Sequence, residues 1–420
     1  MDRTRFLRSL FDAAVSVADP MRVIPKVLPP KPAGRVVVIG AGKASARMAE
    51  AVEAVWGPCE GLVITRCGYG RPCSGIEIVE AAHPVSDAAG MAATARMLGL
   101  LGDLGPDDFV LALISGGGSA LLCAPAGEMT LADKQDVHRA LLESGAPIGQ
   151  MNVVRKHLSR VKGGQLAAAT KARMLALMIS DVPGDDPADI ASGVTVGEAS
   201  TAADALAIVA AFDINLPARA RAAMAASSVV PVHDARIARV ENRIISAPSQ
   251  SLAAAREIAL AIGMEVRILG DSLEGEAREE AARQVALAVD IQAGLGVPAP
   301  PVLLLSGGEC TVSGWGGGIG GPNAEFALAA AIALQGQAGI SLIACDTDGV
   351  DGAAEVAGAL VDAGTLARAK ALGIDARAAL QRNDSHSFFA AIDGQVVTGP
   401  TLTNVNDFRA VLIEPLTIGS

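Results

Sequence analysis

Short apolar runs rich in β-branched residues recur along this chain, and each leads into a glycine or aspartate turn and then an alanine-rich stretch. The runs occupy residues 35–39, 61–65, 108–114, 174–179, 243–247, 301–305 and 340–345. Strands that alternate with helices form parallel sheets with helices on both faces. The alternation therefore predicts an α/β fold with mainly parallel, helix-covered sheets. Aromatic residues make up only 3% of the chain, so its cores must be aliphatic.

The length of the chain favours two domains, because 420 residues exceed what one hydrophobic core usually holds. The helical regularity weakens across 227–241, and a fresh strand-and-helix pattern begins at Arg243. We therefore predict a Rossmann-like N-terminal domain at 1–236 and a C-terminal domain at 237–420. Clefts between domains commonly hold ligands, so we expect the active site in the interdomain cleft.

Charge and hydropathy exclude several classes of partner. The net charge is −11 and basic runs are absent, so neither a nucleic acid nor an anionic membrane is expected to bind. No stretch reaches the roughly 18 apolar residues that span a bilayer. Arg8 and Asp12 interrupt the start of the chain, which argues against a signal peptide. We expect a cytoplasmic protein with reduced cysteines, since none of the six forms a C-x-x-C pair. The formation of a homodimer is left undecided by the sequence.

The first glycine-rich motif follows the strand at 36–39 and contains Gly40, Gly42 and Lys43. A helix that starts behind glycines exposes backbone N–H groups to an anion, and Lys43 adds a positive charge suited to phosphate. The motif is not a Walker A loop, since Val37 stands at the place of the first glycine and Ala44 follows the lysine. A solvated lysine in the first helical turn is an equally good interpretation.

The same motif is an imperfect dinucleotide fingerprint. Ser45 replaces the third glycine, and the next strand ends without the usual acidic residue. That strand ends instead at Thr65 and Arg66, and an arginine there could accept the 2′-phosphate of NADP. An NADP-binding function therefore remains open at this point.

A second glycine-rich turn follows the strand at 111–114. Its residues are Ser115, Gly116, Gly117, Gly118 and Ser119. Consecutive glycines permit positive φ angles and a close approach of the backbone to an oxyanion. An ordinary tight turn is the alternative, but we expect this turn to hold nucleotide phosphates together with Lys43.

A basic segment at 152–164 stands out in this acidic chain. If it is helical, Arg155, Ser159 and Lys162 share one face by the i, i+4, i+7 rule. That face could neutralise a carboxylate or phosphates, although such a run is more commonly a solvated charged face. We expect Lys162 to bind the nucleotide.

Acidic and amide side chains follow several strands. Asp181 comes directly after the strand at 174–179, at the end where open α/β sheets bind ligands, and could bind Mg²⁺ or a substrate hydroxyl. Asp348 and Asp351 follow the strand at 340–345, and we predict a Mg²⁺ site there. Asn323 after a glycine-rich loop and Asn404 in a polar segment are candidate nucleotide-binding residues. Helix capping and turns are the alternative for all of them.

Taken in order, these segments resemble the class II glycerate 2-kinases, whose C-terminal portion is called the MOFRL domain. The resemblance runs from about Arg35 to Asp407. Its motifs are Gly40-Ala-Gly-Lys43-Ala, His83-Pro84 with Asp87, Ser115-Gly-Gly-Gly-Ser119, Arg155-Lys-His-Leu-Ser159 with Lys162-Gly-Gly164, Ser180-Asp181-Val-Pro-Gly-Asp185, Asp348-Gly-Val-Asp351-Gly352, Asn383-Asp-Ser385 and Asn404-Val-Asn-Asp407.

The resemblance implies transfer of the ATP γ-phosphoryl group to the 2-hydroxyl of D-glycerate with Mg²⁺, in a cleft between two α/β domains. Lys43 and Asp181 match residues regarded as catalytic in the family. Some members carry the older label hydroxypyruvate reductase, connected with tartrate degradation.

The chain departs from the family at Ile319 and Pro322, where an arginine is usual in the glycine-rich loop. A cation that stabilises the transition state is therefore missing from its usual place, and Arg155 or Lys162 is the candidate replacement. Two alternatives stay open: an NADP-dependent hydroxypyruvate reductase that uses Gly40, Gly42 and Arg66, and a non-enzymatic sensor of hydroxy acids.

Overall fold

The structure is a computed structural model that describes residues 2–296, 298–314, 316–352 and 354–416. Its strands are β1 Val36–Ala41, β2 Glu60–Arg66, β3 Ile76–Ala81, β4 Phe109–Ile114, β5 Arg173–Ile179, β6 Val240–Ser246, β7 Glu265–Glu276, β8 Val302–Thr311, β9 Ile340–Asp346, β10 Gly358–Val361, β11 Gln395–Val396 and β12 Asp407–Ile413.

The α-helices are α1 Arg3–Val17, α2 Pro20–Val27, α3 Ser45–Trp56, α4 Ala88–Gly102, α5 Gly118–Leu121, α6 Leu131–Glu143, α7 Ile148–His157, α8 Gln165–Ala168, α9 Ala202–Ala211, α10 Ala218–Ala225, α11 Pro248–Ala261, α12 Ala277–Gly294, α13 Pro322–Leu334, α14 Thr365–Ala371, α15 Ala376–Gln381 and α16 Ser385–Ala391. Short 3₁₀ helices lie at Pro183–Asp185, Ile190–Ser192 and Ala235–Ile237. None of the helices within the described ranges is both long and apolar enough to cross a membrane.

The chain divides into two compact units, one formed by Pro20–Ile245 and the other by Met1–Asp19 with Ser246–Ser420. We call them the Rossmann unit and the C-terminal unit. By packing, α1 belongs with the C-terminal unit. The domains predicted from the sequence are contiguous and instead place α1 in the N-terminal domain. The predicted α/β class with helix-covered sheets is confirmed in both units.

The sheet of the Rossmann unit has the strand order β3-β2-β1-β4-β5-β6. The pairings from β3 through β5 are parallel, as the sequence predicts. Every residue of β1 is buried, which explains why its apolar run is continuous rather than alternating. The order reverses between β1 and β4, where Ala41 lies opposite Ile114. In an open α/β sheet, the crevice outside the carboxyl ends of the strands at such a reversal is the usual ligand site.

A small helical layer extends this unit through the long connection from β4 to β5 and the segment that follows β5. Helices α6, α7, α9 and α10 pack around Val137, Leu141, Val154, Val209 and Met224, all of them buried. Burying a side chain of this size contributes roughly 1.5–3 kcal/mol. The layer therefore holds α6 and α7 in fixed positions beside the sheet.

The sheet of the C-terminal unit has the order β11-β10-β9-β12-β8-β7. Here only the pairing of β7 with β8 is parallel among the described strands, and the pairings of β12 with β8 and β9, and of β10 with β9 and β11, are antiparallel. This pairing differs from the parallel arrangement predicted from the sequence. Strand β12 is buried along its whole length, and a fully buried strand has the same continuous apolar run in either direction.

Helices cover both faces of this second sheet. Phe11 of α1 and Leu252 of α11 belong to a core that includes Leu303, Ile343 and Phe408 of the sheet. The rings of Phe11 and Phe408 lie 6.0 Å apart between centroids. Helices α12 and α13 pack on the opposite face. The first helix of the chain is thus part of the core made by its last strand.

Candidate functional site

Two glycine turns lie side by side at the carboxyl ends of β1 and β4. We call residues 40–45 and 115–119 the paired glycine turns. The Lys43 backbone N–H donates to the Gly116 carbonyl over 2.8 Å, and the Ala44 N–H donates to Ser115 Oγ over 3.0 Å. The Ser115 N–H donates in turn to the Ala41 carbonyl over 3.1 Å. The structure therefore brings together the two motifs that the sequence suggested separately.

Glycine is required where these turns touch. Gly42 has a φ of +138°, and a Cβ added there would lie 2.1 Å from Ser115 Oγ. Gly117 has a φ of +80°, and its Cβ would lie 3.0 Å from Nε2 of His83 and 3.3 Å from Cγ of Lys43. The missing side chain at Gly117 thus makes room for the side chains of Lys43 and His83 beside the second turn.

The backbone amides of the first turn already have partners. The N–H groups of Gly42, Lys43, Ala44 and Ser45 donate to the Ile64 carbonyl, the Gly116 carbonyl, Ser115 Oγ and the Gly42 carbonyl respectively. The backbone N–H groups of residues 42–45 are therefore not open to an anion. By contrast, the N–H groups of Gly116 and Gly117 make no hydrogen bond to other residues in the described ranges. The second turn is the better place for an oxyanion.

Lys162 is anchored to the second turn. Its Nζ donates to both the carbonyl oxygen and Oγ of Ser119, each over 2.6 Å, and Ser119 Oγ lies 2.8 Å from Ser192 Oγ. The lysine side chain is almost fully buried. Burial lowers its pKa well below the usual value, and the neighbouring positive charges of Lys134 and Arg155 lower it further.

Arg155 and Lys162 do not share a helix face, so the prediction from their spacing is wrong. Helix α7 ends at His157, and Ser159 Oγ accepts the backbone N–H groups of Val161 and Lys162 in the turn that follows. This serine turn competes with the helical hydrogen bonds, which is why the helix stops early. Both cations nevertheless line one pocket.

That pocket lies between α6, α7 and the second glycine turn, and we call it the α6–α7 pocket. Its lining residues include Lys134, His138, Arg155, Lys162, Met129, Val137, Leu141, Leu158, His83, Gly117 and Ser119. Sequence analysis missed Lys134 and His138, which are four residues apart on one face of α6. The sequence does contain a pattern that could have identified them, because Lys134, Val137, His138 and Leu141 follow helical spacing. Helix faces of this composition are, however, common in solvated helices.

Asp181 lies two residues beyond the end of β5, after Ser180, and Met178 of β5 pairs with Ile114 at the end of β4. Asp181 therefore lies at the same sheet edge as the paired glycine turns. The loop beyond it contains three successive left-handed residues: Ala191 with φ +51°, Ser192 with φ +61° and Gly193 with φ +63°. A left-handed residue other than glycine costs roughly 1–2 kcal/mol, and such strain is concentrated at functional sites.

The C-terminal unit places Asp351 and Asn323 in a buried polar network. The Asp351 carboxylate accepts the backbone N–H groups of Asn323 and Ala324 over 2.9 and 2.8 Å, and Nε2 of His386 lies 3.1 Å from it. Asp351 thus caps the start of α13. The side-chain amide of Asn323 donates to Asp407 over 2.6 Å. Burial raises the pKa of Asp407, while the adjacent Arg409 opposes that rise.

Asp348 and Asn404 also make local backbone contacts. Oδ1 of Asp348 accepts the Val350 N–H over 2.7 Å, and Oδ1 of Asn404 accepts the Asn406 N–H over 3.3 Å. Across the described ranges, no group of three or more His, Cys, Asp or Glu side chains has the geometry to hold a metal ion. The metal site at Asp348 and Asp351 stays a prediction, and the capping bonds of Asp351 do not favour it.

The strand order and the paired glycine turns define a two-unit α/β protein whose first unit has the Rossmann strand order. Residues 6–225 match a domain of unknown function, DUF4147, and residues 302–407 match the MOFRL family. A D-glycerate 2-kinase of Thermotoga maritima is 37% identical over 95% of this chain and 96% of its own length. A protein of Agrobacterium vitis named "Putative hydroxypyruvate reductase" is 52% identical over 97% of this chain and 94% of that protein.

A solved structure supports the same assignment. The crystal structure of a Thermotoga maritima glycerate kinase matches with a TM-score of 0.85 and 36% identity, over 97% of this chain and 99% of that one. The chain therefore belongs to the glycerate kinase family that carries the MOFRL domain.

Proposed function

We propose that this protein is a glycerate 2-kinase that uses Mg²⁺ and ATP to phosphorylate the 2-hydroxyl of D-glycerate. The observation that carries the proposal is the similarity to a D-glycerate 2-kinase over almost the full length of both chains. The paired glycine turns support it, because they place Lys43 beside a turn with two unbonded backbone N–H groups. A kinase that draws on the ATP pool fits a cytoplasmic location.

Each catalytic residue has a role that its chemistry supports. Phosphoryl transfer depends mainly on positioning and on neutralising the charge of the transferred group. Lys43 supplies a positive charge at the second turn, and the N–H groups of Gly116 and Gly117 supply donors for a phosphate oxygen. Asp181 orients the attacking hydroxyl and accepts its proton. Arg155 supplies the cation that the glycine-rich loop lacks at Ile319 and Pro322.

Mg²⁺ would neutralise phosphate charge, and the turn after β5 suits it better than Asp351 does. Oδ1 of Asp185 is buried and has no hydrogen-bond partner within the described part of the chain, whereas both Asp351 oxygens accept hydrogen bonds. Mg²⁺ is usually held by one or two carboxylates together with substrate phosphates. Asp185 is the residue that would hold it, which leaves Asp181 to the substrate hydroxyl.

A hydroxypyruvate reductase is the second candidate, because two relatives at 52% and 50% identity carry that name. The geometry of the first turn argues against it. A dinucleotide pyrophosphate would need the N–H groups of Lys43 and Ala44, which the second turn already uses. Arg66, the candidate for a 2′-phosphate, lies with its guanidinium carbon 5.2 Å from the centroid of the Tyr69 ring.

One pair of assays separates these functions. Purified protein is given D-glycerate, Mg²⁺ and ATP with ADP release followed, and in parallel hydroxypyruvate and NADPH with nicotinamide absorbance followed. We expect ADP release that depends on D-glycerate, and 2-phosphoglycerate as the product. NADPH oxidation without ADP release would contradict the kinase proposal and support the reductase. No activity in either assay would favour a hydroxy-acid sensor.

A further inference from the structure

The α6–α7 pocket concentrates positive charge without a compensating carboxylate. Lys134, Arg155 and Lys162 line it, and no Asp or Glu is among the described residues of its wall. Burial lowers the pKa of Lys134, and so does the charge of Arg155. The pKa of His138 is lowered by burial and then by Arg155 and Lys134. These cations destabilise one another until an anion enters the pocket.

The same side chains retain hydrogen-bond donors for that anion. Lys162 Nζ uses two donors on Ser119, and Arg155 uses one N–H on Asn152 Oδ1 over 3.1 Å. A lysine ammonium has three donors and a guanidinium has five. The side-chain ammonium of Lys134 makes no hydrogen bond or ion pair with other described residues. The donors that these three side chains leave unused therefore indicate a ligand with many acceptor oxygens.

The other wall of the pocket is apolar. Met129, Val137, Leu141 and Leu158 form it, and each is buried in the helical layer. Such a wall gives nothing to a three-carbon hydroxy acid, whose every carbon bears oxygen. It suits a flat apolar group, which gains roughly 25 cal/mol per Å² of surface removed from water.

We propose that the α6–α7 pocket is the nucleotide site, with the base on the apolar wall and the phosphates on Lys134, Arg155 and Lys162. This inference rests on the proposed kinase function. Of the two reactants, only the nucleotide combines a polyanion with a flat aromatic ring whose faces can lie on an apolar wall, whereas the hydroxy acid carries a single negative charge. The pocket reaches Gly117 and Ser119 of the second turn, so a nucleotide bound there has its phosphates next to Lys43.

The test measures ATP, ADP and AMP binding to the full chain by calorimetry with Mg²⁺ and without D-glycerate. Lys134→Gln should raise the Kd of ATP about tenfold or more but that of AMP much less, because one charge-assisted contact to phosphate is lost. Met129→Ala should raise all three Kd values by a similar factor, since it removes contact with the base. Lys171→Gln, which removes an exposed lysine of the same unit, is the matched control and should change none of them.

A second measurement needs no variant. Lys134 of the unaltered protein should be protected from an amine-acetylating reagent by ATP and not by D-glycerate, as mass spectrometry of the modified peptide would report. The pocket assignment is overturned if D-glycerate protects and ATP does not, or if Lys134→Gln raises the KM for D-glycerate and leaves ATP affinity unchanged. If the protein binds ATP tightly through Lys134 but transfers no phosphoryl group, the kinase proposal fails and the pocket assignment stands.

Discussion

The backbone N–H of Lys43 donates to the carbonyl of Gly116 over 2.8 Å, so the turn after β1 is fixed by the turn after β4. The two turns are far apart in the chain, yet each completes the hydrogen bonding of the other. The side chain of this lysine lies beside the second turn, with its Cγ 3.3 Å from where a Cβ at Gly117 would stand. Preorganised charge of this kind is what phosphoryl transfer requires.

The first prediction concerns Lys43 and Asp181. Lys43→Ala should lower kcat by about 10²–10³ with a smaller change in KM for D-glycerate, because its charge acts mainly on the transferring phosphoryl group. Asp181→Asn should also lower kcat, since an amide does not accept the hydroxyl proton. Steady-state kinetics checks both variants, with Lys171→Ala as the control. Full activity of either active-site variant would remove that residue from the mechanism.

The second prediction concerns Gly117. Gly117→Ala should lower both activity and stability, because the new Cβ would lie 3.0 Å from His83 Nε2 and 3.3 Å from Lys43 Cγ. Gly263→Ala is the matched control, since Gly263 ends α11 in a Schellman turn with a similar φ of +82° but has nothing within 4 Å of the added Cβ. It should show only the cost of a left-handed alanine, roughly 1–2 kcal/mol of unfolding free energy. Equal activity in the two variants would contradict a role for close contact at Gly117.

The third prediction separates two aspartates. Asp185→Asn should raise the Mg²⁺ concentration needed for half-maximal activity and leave the unfolding free energy nearly unchanged. Asp351→Asn should instead destabilise the protein by about 1–3 kcal/mol, because the amide keeps only one of the two oxygens that accept the N–H groups of Asn323 and Ala324 and leaves the other N–H buried and unpaired. Magnesium titrations of activity and urea unfolding measure the two effects. If Asp351→Asn alone changes the magnesium requirement, the metal lies in the C-terminal unit.

The fourth prediction is a pH dependence of stability. Lys156 and Glu198 form a buried ion pair of 2.7 Å. Burial by itself would raise the pKa of Glu198, but the hydrogen bond from Lys156 and those from Ser200 lower it below the ordinary 4.5. A carboxylate whose pKa is depressed by folding stabilises the protein above its unfolded pKa, and this stabilisation is lost as the pH falls.

Wild-type protein should therefore lose stability as the pH drops below 4.5 more steeply than Glu198→Gln does. At neutral pH, Glu198→Gln should cost about 3–5 kcal/mol, because it leaves Lys156 buried and unpaired. The double variant with Lys156→Met should recover much of that loss. Urea unfolding at several pH values measures the unfolding free energy of wild type, Glu198→Gln and the double variant. If the unfolding free energies of wild type and Glu198→Gln fall in parallel with pH, the ion pair is not the source of the pH dependence.

The sequence predicts the Rossmann strands and the two glycine turns because glycine costs conformational entropy and rarely follows a continuous apolar run unless a turn needs it. It does not predict that the two turns bond to each other, since that contact depends on β4 lying next to β1. Lys134 and His138 were missed because a basic residue on an amphipathic helix is ordinary until the opposing wall is known. The spacing of Asp351 after its strand suggests a metal ligand. Spacing alone, however, cannot distinguish a metal ligand from an aspartate that caps a helix elsewhere in the chain.

Strand β12 lies between β8 and β9, and α1 packs on the same sheet. During synthesis on the ribosome, β8 and β9 therefore emerge before β12, with unsatisfied edges that β12 later fills. The Rossmann unit contains no residue after Ile245, so it can fold while the rest is still being made. Helix α1 can already pack on α11 at that stage, but a ribosome that stops before Asp407 releases a chain with one finished unit and one open, aggregation-prone sheet.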